Sequence, residues 1–225
     1  MCGRFTMTKL EEELTSRFRV VPEGRLGLKP RYNIAPSQEI PAIINHQGKN
    51  KLIMMRWGIL APWSTKEKPI NLINLRSETV VNKPNFRKYL DTARCIVPAD
   101  SFYEWKAQGK IKNPYRFVLN NQLFGLGAVY RKIPDESGND HYTFCLITTT
   151  PNEIVVLAHD RMPVIISQEK EAYWLDPNSK PADYIPSLAP YPGQHMQSYI
   201  VSRKLNTASN DTPDLILPVT AGSGT

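Results

Sequence analysis

The sequence predicts an α+β protein, a single domain with a strongly curved, barrel-like antiparallel sheet and peripheral short helices. Three observations predict it. Short strand-like runs recur between residues 39 and 149, separated by turn residues, and two more follow near the end. Helical spacing appears only in brief stretches. The length, 225 residues, suits one large domain and allows a sizeable core.

Thr8-Lys-Leu-Glu11 matches a capping box, and the LEEELTSRF that follows has apolar residues at helical spacing, so a helix is expected at about 8–18. Residues 21–37 are rich in Pro and Gly and read as a long loop. EIPAIINH and KLIMMRWGIL, separated by Gln47-Gly-Lys-Asn50, read as a β-hairpin. Residues 61–85 hold Pro62, Pro69 and Pro84 without a sustained period and read as irregular surface loop. A short helix is expected at 85–92. Strands are expected at about 94–98, 101–106, 114–119, 122–131 and 142–149, with turns at Gln108-Gly109, Asn120-Asn121 and Ser137-Gly-Asn139. Short helices suit 152–158 and 169–175, and RMPVIIS and SYIVS read as late strands. The domain is expected over 1–218. Residues 219–225, ending AGSGT, read as a disordered tail.

Lys and Arg number 28 against 21 Asp and Glu, a net charge of +7 that favours polyanionic partners. Three cysteines, Cys2, Cys95 and Cys145, are too few and too widely spaced for a disulfide framework or a zinc site. Cys95 and Cys145 sit in apolar runs and read as small core residues. The sequence shows neither a secretory leader pattern nor a run of about 18 apolar residues. A cytoplasmic, DNA-associated location is the expectation, one that keeps a reactive thiol reduced.

The opening Met1-Cys2-Gly3-Arg4-Phe5 carries the chemistry. Without Met1, residue 2 presents a free α-amine and a thiol on adjacent carbons. Such a 1,2-aminothiol forms a Schiff base with an aldehyde and then closes a five-membered thiazolidine ring. The amine has a pKa of about 8 against about 10.4 for lysine, so far more of it is nucleophilic at neutral pH. From these residues alone, Cys2 is equally the second residue of an idle tail. Class II glutamine amidotransferases also open Met-Cys-Gly and turn the processed cysteine on an amide.

Four further segments bear on the choice: Arg31-Tyr-Asn-Ile-Ala-Pro36, Ile73-Asn74-Leu-Arg76-Ser-Glu78-Thr79, Phe102-Tyr103-Glu104-Trp105 and Ala158-His159-Asp160-Arg161-Met162-Pro163. Together with Met1–Phe5 they resemble the motifs of the SRAP (SOS response-associated peptidase) family, in order, over nearly the whole chain. The resemblance implies a domain around a barrel-like sheet, autocatalytic removal of Met1, and a thiazolidine crosslink from Cys2 to an abasic site in single-stranded DNA. That crosslink would shield the lesion during the DNA damage response, with lyase-like activity at the same site. Carried over by motif, the catalytic residues are Cys2, Asn74, Glu104 and His159. Arg4, Pro36, Trp63, Arg76 and Arg161 fall at DNA-contacting positions. Around Trp63 the chain reads Ala61-Pro-Trp-Ser64, a shorter aromatic stretch than the family often shows.

Physical roles stand beside the resemblance. Glu104 between Tyr103 and Trp105 suits acid–base work if burial raises its pKa; alone it reads as an outward strand carboxylate. His159 titrates near neutrality; alone it reads as a helix-end histidine. Asn74 donates and accepts hydrogen bonds, and alone reads as a turn residue. The arginines alone are solvated surface charges. His46, His141 and His195 lack ligand-like spacing, so no metal is expected, and no glycine-rich phosphate loop calls for a nucleotide cofactor. The expected partner is single-stranded DNA containing abasic sites, with no membrane. Two other functions stay open: an N-terminal-cysteine thiol hydrolase of amidotransferase or peptidase type, and a non-covalent single-stranded DNA-binding module.

Overall fold

A computed structural model of the chain describes residues 2–61, 63–65, 67–134 and 140–219. The strands are β1 (Arg4–Met7), β2 (Val21–Pro22), β3 (Arg31–Ile34), β4 (Glu39–His46), β5 (Lys49–Trp57), β6 (Ile59–Leu60), β7 (Asn71–Leu72), β8 (Asn74–Arg76), β9 (Arg94–Ala99), β10 (Ser101–Gln108), β11 (Ile111–Val118), β12 (Phe124–Pro134), β13 (Asp140–Thr149), β14 (Met162–Pro163), β15 (Ile165–Ile166) and β16 (Gln197–Ile200). The α-helices are α1 (Glu11–Phe18), α2 (Ser77–Asn82), α3 (Pro84–Thr92), α4 (Glu171–Leu175) and α5 (Pro181–Tyr184).

Long apolar strands bordered by tight turns build the larger sheet. In β4, residues 40–44 are all buried, so this strand is covered on both faces. Gln47 and Gly48 both have positive φ, 51° and 78°, giving a two-residue turn that matches the twist of the paired strands. Lys49 and Asn50, expected in the connection, pair with His46 and Asn45 instead. The sheet runs β14-β13-β12-β9-β4-β5-β2, and β13 also pairs with β5 through Thr143–Arg56 and Phe144–Trp57. That pairing closes β4, β5, β13, β12 and β9 into a ring. Leu126, Ala128 and Leu146 share one face of the ring with Val97 in the paired register, and all four are fully buried. Among the described residues, three pairings are parallel rather than antiparallel: β13 with β5, β13 with β8, and β2 with β5.

A second, antiparallel sheet has the order β16-β11-β10-β1-β3. Phe5 of β1 meets Trp57 of β5 with ring centroids 5.2 Å apart, and Trp57 stacks on Phe144 of β13 at 6.0 Å. This aromatic column joins the two sheets and fixes the end of β1 that carries Cys2.

Several local expectations are corrected. Helix α1 starts later, with Leu10 at its N-cap and Glu13 accepting the Leu10 N–H at 3.0 Å. Thr8 is drawn off to Asp100, which accepts its backbone N–H at 2.7 Å and its hydroxyl. The loop reading of 21–37 holds except for β2 and β3. The reading of 61–85 as irregular misses β7, β8 and α2; β7 pairs with β6 and β8 with β13, partners that no local period encodes. The 152–158 helix is a single 3-10 turn, Val155–Leu157. The turn expected at 137–139 and the tail beyond Val219 lie outside the described residues. Val219 itself donates its N–H to Ile200 O at 2.9 Å. Cys95 and Cys145 are buried, unbridged core residues of β9 and β13.

Candidate functional site

Four side chains from four parts of the chain converge where the two sheets meet. Cys2 precedes β1 and is fully buried. Asn74 opens β8, and its Nδ2 donates to the Cys2 carbonyl at 2.8 Å. Trp57 Nε1 donates to the neighbouring Ile73 carbonyl at 2.8 Å, which anchors this short strand to the aromatic column. Asn74 Oδ1 is buried and has no hydrogen-bond partner among the described residues, an acceptor left over in a desolvated place.

Glu104 lies on β10, beside β1 in the register Arg4–Tyr103. It is 1% exposed, and burial raises its pKa from 4.5 to about 8. The carboxyl is therefore largely protonated at neutral pH. Burial also drives the Cys2 thiol well above its ordinary value, and the Glu104 charge adds to that rise. His159 follows the Val155–Leu157 turn, with Nε2 3.9 Å from Glu104 Oε2. Burial lowers the His159 pKa, so the imidazole is neutral at pH 7. A cavity of about 640 Å³ opens beside Glu104 and His159, lined also by Trp105, Lys112, Asp160 and Asn206. Cys2 and Asn74 do not line it.

The residues expected at DNA-contacting positions have different settings. Arg76 is exposed on β8. Arg4 is half-buried; its Nη1 donates to Asn33 Oδ1 at 3.1 Å and to Leu205 O at 2.9 Å, and burial lowers its pKa. Arg161 is 8% exposed and forms a bidentate pair with Glu78 at 2.7 and 2.9 Å. Trp63 is 57% exposed and meets Phe86 edge-on at 5.9 Å. Pro36 is half-buried in the loop after β3. Sequence reasoning missed Glu78 as a partner of Arg161, and Trp105, Lys112 and Asn206 as cavity walls. For Glu78 a signal was present: it and Arg161 stand in two of the quoted motifs. Among the described residues, no three His, Cys, Asp or Glu side chains converge in a metal-like group, and no helix is long and apolar enough to cross a membrane.

Fold and site together define an α+β protein with a closed five-stranded ring, a thiol at position 2, and a buried carboxylic acid and neutral imidazole beside it. The model of the SRAP family, SOS response associated peptidase, matches residues 1–208, and the chain belongs to that family. Abasic site processing protein YoqW of Bacillus subtilis (strain 168) is 44% identical over 223 residues, covering 96% of this chain and 99% of YoqW. YedK of Escherichia coli (strain K12), also named an abasic site processing protein, is 27% identical, covering 97% of this chain and all of YedK. HMCES of Gallus gallus, with the same description, is 28% identical over 89% of this chain and 69% of its own length. A crystal structure of a protein from Bacteroides thetaiotaomicron shares the fold, with a TM-score of 0.84, 24% identity, and coverage of 97% of this chain and all of the other.

Proposed function

We propose that this protein processes abasic sites in single-stranded DNA by covalent capture at Cys2. The observation that carries the reading is the junction itself: Asn74 holds the Cys2 carbonyl at 2.8 Å beside a buried carboxylic acid. The relatives named as abasic site processing proteins support the choice of substrate.

The proposed sequence begins with hydrolysis of the Met1–Cys2 amide, which consumes one water and releases methionine. Until then the Cys2 nitrogen is an amide whose lone pair is delocalised, and it forms no imine. The freed amine adds to the C1′ aldehyde of the ring-opened sugar and gives a carbinolamine. Glu104, protonated up to about pH 8, donates a proton to the departing hydroxyl, water leaves, and the resulting iminium returns its N–H proton to Glu104 to give the imine. The Cys2 sulfur then adds to the imine carbon, the nitrogen takes up the proton, and the thiazolidine closes. The capture of the aldehyde by the freed aminothiol loses one water. Asn74, through its Nδ2 bond to the Cys2 carbonyl, orients the nucleophile. His159, through Nε2, is proposed to act on the sugar oxygens, the route to lyase-like chemistry. Arg4, Arg76 and Arg161 are the proposed phosphate contacts. Arg76 is exposed for it, and Arg161, still clamped on Glu78 through its Nη atoms, has an Nε–H without a partner among the described residues to offer. Pro36 and Trp63 are proposed to line the strand's path.

The test mixes the Met1-free protein with abasic single-stranded DNA and resolves the product on a denaturing gel and by intact mass. The expected adduct has the summed mass of protein and DNA less one water. Cys2→Ala is expected to yield only a hydrolysable Schiff base, because no sulfur is present to close the ring. A heat-stable adduct at wild-type level from Cys2→Ala would refute the reading. Turnover of an amide other than the protein's own Met1 bond would favour the thiol hydrolase, and unchanged affinity with no covalent product the binding module.

A further inference from the structure

The Arg161 guanidinium is fixed at three points. Nη1 and Nη2 donate to the two Glu78 oxygens at 2.7 and 2.9 Å, and Nη2 also donates to the Thr148 carbonyl at 2.6 Å. Bidentate charge-assisted pairs of this kind set orientation as well as energy. The Arg161 hydrogen bonds pull the Glu78 pKa down to about 2, so the pair stays ionised across the working range. One end of the clamp belongs to the β8–α2 segment that carries Asn74. The other belongs to the segment that carries His159.

The backbone of the clamped residue reaches the site. Arg161 N–H donates to His159 Nδ1 at 3.0 Å. A ring nitrogen that accepts an N–H carries no proton of its own in the neutral imidazole, so the proton sits on Nε2. That is the nitrogen 3.9 Å from Glu104 Oε2. The Asp160 carboxylate lies 2.8 Å from the same Nδ1 and favours the opposite tautomer, with the proton on Nδ1. The two contacts exclude each other. Asp160 is 85% exposed, where water screens its pull, while the Arg161 amide belongs to a residue held from both sides.

We propose that Glu78 is a positioning residue: by clamping Arg161 it holds the Arg161 amide on His159 Nδ1 and keeps the imidazole proton on Nε2, facing Glu104. The tautomer decides whether His159 meets the site as a proton donor or as an acceptor. Glu78 itself touches no reacting atom.

The experiment labels the histidines with nitrogen-15 in the full chain and reads the ring shifts of His159 at pH 7.5, assigned against His159→Gln. Wild type is expected to show the Nε2–H pattern. Glu78→Gln, with its fold checked by circular dichroism, is expected to move toward an even mixture of tautomers. An even mixture halves the competent population, so crosslinking to abasic single-stranded DNA should slow about twofold. The salt slope of DNA affinity should stay unchanged. Should Glu78→Gln not fold, Glu78→Asp, still charged but one methylene shorter, carries the same comparison. A wild-type Nδ1–H pattern overturns the proposal, as does an unchanged tautomer in a folded Glu78 variant. Tighter DNA binding with a steeper salt slope would make Glu78 a phosphate surrogate instead, which also overturns it. The rate readout rests on the crosslinking proposed above, but the tautomer readout does not. Absence of any wild-type adduct would sink that reading and leave this one decided by the nitrogen shifts.

Discussion

Glu104 keeps its proton up to about pH 8 because its surroundings offer the charged form little solvation. This has a consequence for stability as well as chemistry. Below about pH 4.5 the carboxyl is neutral in folded and unfolded chains alike, and its burial carries no ionisation penalty. Between 4.5 and 8 the unfolded chain releases the proton while the folded chain keeps it, so stability falls as pH rises. Above about 8 the loss is complete, on the order of a few kcal/mol at most. Glu104→Gln removes the titration. Its thermal midpoint should therefore rise relative to wild type between pH 5 and pH 8.5. Parallel midpoint curves over that range would show that Glu104 is not the buried acid of the site. The same substitution should slow adduct formation about 10²- to 10⁴-fold in single-turnover assays, with DNA affinity preserved, because a carboxamide cannot donate the proton.

Strand β3 shows how a motif turns out to hold structure together. Asn33 is fully buried, and its Nδ2 donates to the carbonyls of Leu205, Thr207 and Asn210 at 3.2, 3.1 and 2.7 Å. Its Oδ1 accepts from Arg4, and Asp211 takes both the Asn33 N–H and the Arg31 guanidinium. The strand thus pins the stretch from Leu205 to Asp211 against β1. Asn33→Ala would strand several buried carbonyls, at roughly 1–3 kcal/mol each where water cannot replace the bond. A drop in thermal midpoint of at least about 4 °C is expected, with faster proteolysis around 203–211. A midpoint within a degree of wild type would contradict that role. The residue types of this motif were legible in the sequence, but their partners, some 170 positions away, were not. The same division holds elsewhere. Strands β9 to β13 and the Gln47-Gly48 turn announce themselves through alternation and turn chemistry. Strand β8 does not, because a parallel partner orders it, and no local period encodes that pairing. Cys2, Asn74, Glu104 and His159 stand out through motif resemblance. Glu78 and Arg161 each stand in a quoted motif, but their pairing was not legible, because ion pairing across folded segments leaves no spacing rule.

At the scale of the molecule, ring closure by β5 and β13 brings Arg56 and Trp57 next to Thr143 and Phe144, at the end of the barrel where β8 also docks. The site is therefore built at one end of strand β5, and the hairpin tip at Lys49 lies at the other. Eight residues of strand at about 3.3 Å each separate Lys49 from Trp57, roughly 26 Å. That distance is more than twice the Debye length at 0.1 M salt, so the two ends sense a bound strand independently. The net charge of +7 attracts DNA to the whole surface, but only cations at the site end should be specific contacts. Arg76 is exposed there, and Lys49 is exposed at the far tip. Each substitution to Ala removes one positive charge, so net charge alone predicts equal effects. A phosphate contact by Arg76 predicts otherwise. Arg76→Ala should make the slope of log affinity against log salt shallower by about 0.7, the share of one single-strand phosphate. Lys49→Ala should leave the slope within error of wild type. Binding isotherms on abasic-free single strands, taken between 50 and 300 mM salt, separate the two without involving the covalent step. Equal slopes in the two variants would return Arg76 to the general positive field and remove it from the strand's path.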